Sequence, residues 1–256
     1  MLEFVDTHCH IQFADYELDP EAVISGALAS GVTRMICVGC SLSDSKIGIE
    51  FAKRHSSIWA SIGVHPHEAK HYINDDKALQ ELRSLVNKPK VVAIGEIGLD
   101  YYYNYSSASD QKALFRYQLT IAQEFNLPVI LHIREAFDDF ITVFKEFSSL
   151  KGVVHSFTAT EEILDKLLNL GLYIGLNGII TFTKDQKQLD MARKVPINKL
   201  LIETDSPFLT PSPYRRTICQ PKHVVTTAEY LANLRQESLE DLALATTKNA
   251  SKLFRL

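Results

Sequence analysis

Leu2-Glu3-Phe4-Val5-Asp6-Thr7-His8-Cys9-His10 decides how this chain is read. A short apolar run ends in two histidines, and the same design recurs further along. Glu96 follows Val91-Val92-Ala93-Ile94-Gly95, and His132 closes Val129-Ile130-Leu131. His155 closes Val153-Val154, and Asp205 closes Leu200-Leu201-Ile202-Glu203-Thr204. Polar groups of this kind are costly to bury at strand ends unless something pairs with them. A parallel barrel meets that cost by bringing the carboxyl ends of all its strands around one mouth. A pair of metal ions is the natural partner for such side chains, and the candidate is a metal-dependent hydrolase.

Outward from that stretch, eight apolar, β-branched runs follow at residues 4–6, 35–39, 58–64, 91–97, 129–133, 152–155, 172–177 and 199–204. Segments of helical periodicity lie between them. Asp19-Pro20-Glu21 reads as an N-cap, a first-turn proline and a first-turn acid. Ser109 or Asp110 is expected to cap the long segment 111–125, and Thr160 opens 163–170, which Gly171 stops. Residues 185–194 form a further helix ending before Pro196, and 221–234 and 239–254 are expected as two helices on the outer wall. Strict alternation of strand and helix implies parallel strands, and eight repeats close a (β/α)8 TIM barrel. A doubly wound sheet is the competing fold, but no Gly-rich phosphate fingerprint follows the first strand. No linker or charge block divides the 256 residues, so one domain spanning 1–256 is expected.

The chain is 46% hydrophobic and 23% charged, as in a globular enzyme with a substantial core. No apolar run approaches the roughly 18 residues that would suggest a membrane span, and the chain enters a strand at once. A cytoplasmic location is the default expectation, with no membrane partner. Four cysteines do not make a disulfide framework, and Cys37-x-x-Cys40 lacks a second pair, so it reads as structural apolar residues at a strand end. A formal charge of −4 argues against a broad basic surface for duplex nucleic acid, while leaving room for a local grip on a few phosphates.

Side chains alternate along a strand, so His8 and His10 point to one side and Cys9 to the other. The same parity links Ile130, His132 and Arg134, and Leu201, Glu203 and Asp205. An isolated histidine pair is a weak signal, and the weight comes from the ensemble at successive carboxyl ends. Glu96 sits in Gly95-Glu96-Ile97-Gly98-Leu99-Asp100, where small neighbours leave it room.

These stretches, with Gly63-Val64-His65-Pro66-His67, Pro128-Val129-Ile130-Leu131-His132-Ile133-Arg134-Glu135-Ala136 and Leu201-Ile202-Glu203-Thr204-Asp205-Ser206-Pro207, resemble the TatD family of metal-dependent deoxyribonucleases, within the amidohydrolase-like barrel superfamily. The resemblance runs over nearly the whole length. It implies that His8, His10, Glu96 and Asp205 bind one metal, and that Glu96, His132 and His155 bind a second, with Glu96 bridging. Magnesium, manganese and zinc all suit the donors.

Two such ions would activate a shared water and stabilise charge on attacking and leaving oxygens. Asp205 is the candidate proton acceptor. Arg134 is placed to hold a phosphate oxygen. His65 reads either as a residue orienting the scissile phosphate or as a packing histidine. Glu203 either orients a metal-bound histidine or pairs with a nearby base. Tyr214-Arg215-Arg216 with Lys222-His223 forms a local basic loop that could track a nucleic-acid backbone, with Arg215 its candidate phosphate contact. Tyr101, Tyr102, Tyr103 and Tyr105 either stack on unpaired bases or pack the rim. His67 and His71 read as surface residues.

Three positions depart from the family pattern. Gln12 stands where Asp or Asn is usual, Ser156 falls in an altered sixth strand end, and the loop from Arg215 to Pro221 lacks the familiar Arg-Gly and Asn signature. Every expected ligand survives, so the departures bear on substrate. Hydrolysis of DNA, single-stranded or from an end, is the leading expectation. A metal-dependent amide or ester hydrolase, acting on a small metabolite or an aminoacyl-tRNA, is the rival. A non-catalytic binding barrel would be expected to have lost a ligand, and none is missing.

Overall fold

The computed structural model describes residues 2–103, 105–147 and 149–256. Eight strands form one parallel sheet in chain order: β1 Phe4–Cys9, β2 Val32–Cys37, β3 Ile58–Ile62, β4 Val91–Asp100, β5 Val129–Arg134, β6 Gly152–Val154, β7 Tyr173–Leu176 and β8 Leu200–Ile202. The sheet closes where Cys9 bridges Ser206 in parallel, with Asp205 N–H donating to His8 O (2.8 Å) and His10 N–H to Ser206 O (2.7 Å). The connections carry α1 Pro20–Ala29, α2 Leu42–Arg54, α3 Ala69–Tyr72, α4 Asp76–Ser84, α5 Ala108–Glu124, α6 Phe137–Phe144, α7 Glu161–Asn169, α8 Gln186–Lys194, α9 Val224–Arg235 and α10 Leu239–Phe254. This is the expected TIM barrel. Among the described residues, no helix is long and apolar enough to cross a membrane.

Strand alternation sorts the apolar residues into two cores. Val129 and Leu131 join the layer between sheet and helices, whereas Ile130 joins Val5, Ile36, Ala93, Val153, Tyr173 and Leu201 in a second cluster. That second cluster, drawn from seven of the strands, is the barrel interior. Ala250, Leu253 and Phe254 belong to it too. The last turns of α10 therefore plug the amino-terminal mouth, where Asn249 Nδ2 donates to Leu200 O (2.9 Å). This corrects the expectation of a helix lying only on the outer wall; the apolar face at its end has the barrel floor to cover.

Two of the register shifts decide which side chains face the mouth. Asp6 pairs with Met35 but Cys9 with Cys37, and Ile94 pairs with Val129 but Ile97 with Leu131. Three residues against two is a bulge, which re-aims the side chains beyond it. Counted from inward-facing Val5 and Ala93, His8 and Glu96 would face outward; the bulges turn both in.

Helix starts follow capping chemistry. Asp19 accepts from Glu21 N–H (3.2 Å) and Thr160 from Ile163 N–H (3.4 Å), as expected. The long helix α5 is capped by Ser107, which accepts from Asp110 N–H (3.1 Å), and not by Ser109 or Asp110. An Asp at the third helical position suits the positive helix end, and the capping hydroxyl lies three residues earlier. Ser107→Ala is expected to lower unfolding free energy by about 1 kcal/mol and Ser109→Ala by much less, a difference that denaturant melts would resolve.

Candidate metal centre

Five histidines, His8, His10, His65, His132 and His155, gather around Glu96 and Asp205 at the carboxyl ends of the strands. His8 Nε2 lies 3.1 Å from His10 Nε2, and each is 3.5 Å from Asp205 Oδ1. The two oxygens of Glu96 face different neighbours. Oε2 lies 3.6 Å from His8 Nε2, while Oε1 lies 2.8 Å from His132 Nδ1, 3.0 Å from His155 Nε2 and 3.8 Å from His65 Nε2. Three overlapping donor groups are close enough to hold a cation: His8, His10 and Glu96; His8, His155 and Asp205; and His65, Glu96 and His132. All six expected ligands thus come together. His155 stands between the two expected sets, stacked on His8 at 3.9 Å between ring centres, and His65 lies beside the second, its Nε2 3.8 Å from Glu96.

The donor set fits a metal. His10 Nδ1 faces the Val38 carbonyl at 2.9 Å, which only an N–H satisfies, so Nε2 turns a lone pair toward His8 and Asp205. His132 Nε2 faces Asp100 Oδ2 at 3.0 Å; with the proton there, its Nδ1 lone pair confronts Glu96. Lone pairs facing one another across a buried site call for a cation between them.

The charges agree. Burial alone would raise the Glu96 carboxyl, but His155, His132 and His8 outweigh it and hold it well below the ordinary carboxylate range. Asp205 is treated likewise: burial opposes ionisation, and His10, His155 and His8 overcome it. Both carboxylates are ionised at neutral pH.

Three neighbours escaped the sequence reading. Asp100 is buried and faces both His132 and His67, each at 3.0 Å. It lies on the site because β4 continues past Ile97, and Glu96, Gly98 and Asp100 share its inner face. Gly98 is required there: its φ is +147°, and a Cβ would fall 1.9 Å from His132 O. His67, expected at the surface, instead pairs with Asp100 and lines the cleft; its spacing from His65 repeats that of His8 and His10. His71 is exposed as expected. Cys40 is not structural packing: its Sγ lies 3.5 Å from Glu96 Oε2 and 3.9 Å from His10 Nδ1. Burial, then Glu96 and Asp44, push this thiol well up, so it stands there as a neutral SH. Cys37, at the end of β2, is buried opposite Cys9 and fits the structural reading.

Glu203 is fully buried, 3.5 Å from His155 Nδ1, and accepts from Ser156 N–H (2.6 Å). Gly175 makes room for it, since a Cβ there would lie 2.4 Å from Glu203 Oε2. Ser156, at φ +50°, therefore belongs to the frame behind His155. Gln12 Nε2 donates to Val38 O (2.8 Å), the carbonyl that also anchors His10. Two of the departures thus support histidines.

The centre opens into a cleft of about 940 Å³ whose walls include Phe13, Tyr16, Ile47, Phe208 and Ile218. Asp15, Glu17, Asp44 and Glu68 line it as well, and among the described residues no Lys or Arg does. Arg134 instead stacks on Tyr102 (3.9 Å) and Tyr103 (4.9 Å) at the rim, where Tyr102, Tyr103 and Tyr105 are exposed. Tyr101 packs inward and donates to Asp139 (2.7 Å). Arg215 covers the Phe182 ring at 3.8 Å and donates to Thr210 O. His223, read as part of a basic loop, is buried and stacked on Tyr214; burial, then Lys222, push it down to about 4, so it is neutral.

Known proteins are similar to this chain over nearly its whole length. An uncharacterized metal-dependent hydrolase of Bacillus subtilis, YabD, is 38% identical over 253 residues, covering 98% of each chain. A protein of Enterobacter lignolyticus named 3'-5' ssDNA/RNA exonuclease TatD is 35% identical over 257 residues, covering 97% of this chain and 98% of its own. The crystal structure of the TatD homolog YjjV from Escherichia coli superposes with a TM-score of 0.92 at 30% identity, over 99% of this chain and 98% of that one. The TatD related DNase family profile matches residues 5–255. With its fold, its donor cluster and these relatives in agreement, the chain belongs to the TatD related DNase family and is a metal-dependent hydrolase.

Proposed function

We propose that this hydrolase cleaves phosphodiester bonds at an end of a single DNA strand, using two divalent ions. His8, His10, Glu96 and Asp205 would hold one ion, and Glu96, His132 and His155 the other. The observation that carries this reading is Glu96, whose two oxygens serve different histidines. Ions bound there would supply an acidified water and neutralise charge growing on the phosphoryl oxygens. Asp205, ionised and 16% exposed toward the cleft, accepts the proton from the attacking water. His65 takes the His67 N–H on Nδ1 (3.3 Å), so Nε2 carries the proton and can donate to a phosphate oxygen. Asp100 and Glu203 hold His132 and His155 in orientation.

The cleft has the size of one or two nucleotides, and its walls repel a polyanion. Only the scissile phosphate would be drawn to the centre, with the rest of the strand leaving over Arg134 and the exposed tyrosines, which suits a strand end. The name of the Enterobacter relative points the same way. The lack of Lys or Arg in the cleft also favours a second reading, an amide or ester hydrolase whose substrate carries less charge.

One experiment separates them. Metal-stripped protein receives magnesium, manganese or zinc and is offered 5'- and 3'-labelled single-stranded DNA beside a panel of carboxylic esters. Stepwise shortening of the DNA with at least one metal is expected, and the ladder gives the polarity. Intact DNA with turnover of an ester would move the assignment to the second reading.

A further inference from the structure

We propose a second binding site, at the amino-terminal end of the barrel, for a multiply charged phosphate group. A cavity of about 320 Å³ opens there, remote from the metal centre, beside the starts of β5 to β8 and the end of α10. Four cations converge on it. Lys151 directly precedes β6, Lys199 directly precedes β8, and Lys252 and Arg255 lie at the end of α10. Among the described residues, no Asp or Glu lines it. The metal cleft is the reverse, with carboxylates on its walls and no Lys or Arg.

These cations are not accounted for by ion pairs. Some lysines face acids, as Lys112 faces Asp139 and Lys166 faces Glu162, while others such as Lys70 and Lys248 stand apart on the surface; these four differ in sharing one hollow. Among the described residues none of the four forms such a pair; Lys199 Nζ donates to Gly171 O (2.7 Å) over the Tyr173 ring (4.7 Å). Burial, and after it the like charges of Lys151 and Lys252, lower the Lys199 ammonium.

Helix ends offer a blander account, because helices finish at this end of the barrel and their last carbonyls attract cations. Each contributes roughly −0.5 charge. Even four such ends would offset only about half of four full positive charges, leaving a surplus directed into a hollow. Phosphate oxygens are the chemistry that answers several convergent lysine and arginine donors. Such oxygens could belong to a free oligophosphate or to a nucleic-acid backbone.

Lysine acetylation, followed by mass spectrometry on the full, metal-loaded chain, tests this residue by residue. Pyrophosphate and a short oligothymidylate with hydrolysis-resistant phosphorothioate links are the two probes. Acetylation at Lys151, Lys199 and Lys252 is expected to slow by about threefold or more, weakening with added salt, while Lys53 and Lys166 do not change. Protection by pyrophosphate alone identifies a free oligophosphate as the source, and protection by oligothymidylate identifies a strand. Arg255→Glu, at an exposed position, keeps all three reporters and is expected to abolish the protection. Unchanged rates with both probes, or full protection in Arg255→Glu, would overturn the proposal.

Discussion

Asp205→Asn is expected to lower the rate of the chemical step by about 10²- to 10⁴-fold, the range for loss of a positioned general base, with the fold intact. The substitution is nearly isosteric, and the backbone at φ +61° is one that Asn tolerates well. Its N–H bond to His8 O, which helps close the barrel, does not involve the side chain. The lost property is the carboxylate charge beside His8 and His10. Single-turnover rates on end-labelled DNA, read beside metal content and far-ultraviolet circular dichroism, separate the chemical loss from loss of metal or structure. A variant with normal metal content and a rate within about fivefold of the parent would remove Asp205 from the proton-accepting role.

How far this centre was legible depends on where each residue sits relative to its strand's irregularity. His8 and His10 were readable because the bulge in β1 precedes them, so local parity holds between them. Glu96 was found through its small neighbours, since alternation counted from Ala93 would have turned it outward. Asp100 carried a signal that went unused: it stands four residues beyond Glu96, on the same face, in a run that was ended at Ile97. His67 likewise repeats the spacing of a recognised pair. Cys40 carried none, because its approach to Glu96 is set by the loop after β2 and not by any period. Arg134 kept its parity yet stacks on tyrosines, and cation–π stacking with loop residues is invisible to strand alternation. Helix α10 was placed correctly in sequence and incompletely in space, since its apolar end could cover either the wall or the floor.

Glu96→Gln is expected to empty both halves of the centre together, whereas His10→Ala and His132→Ala each weaken one. Each oxygen of Glu96 faces a different histidine group, and the amide puts an NH2 where one of those acceptors stood. It also removes the negative charge that the buried histidines stabilise. Elemental analysis after dialysis would then show about two ions per parent chain, about one in each histidine variant and almost none in Glu96→Gln. Stability should follow. An ion present at 100 times its dissociation constant adds about 2.7 kcal/mol to a folded chain that alone binds it. Melts of the parent are therefore expected to rise with added manganese or zinc, and those of Glu96→Gln to stay flat. A Glu96→Gln protein that retained one ion and half of the thermal gain would show that this carboxylate serves a single metal, and the bridged pair would have to be abandoned.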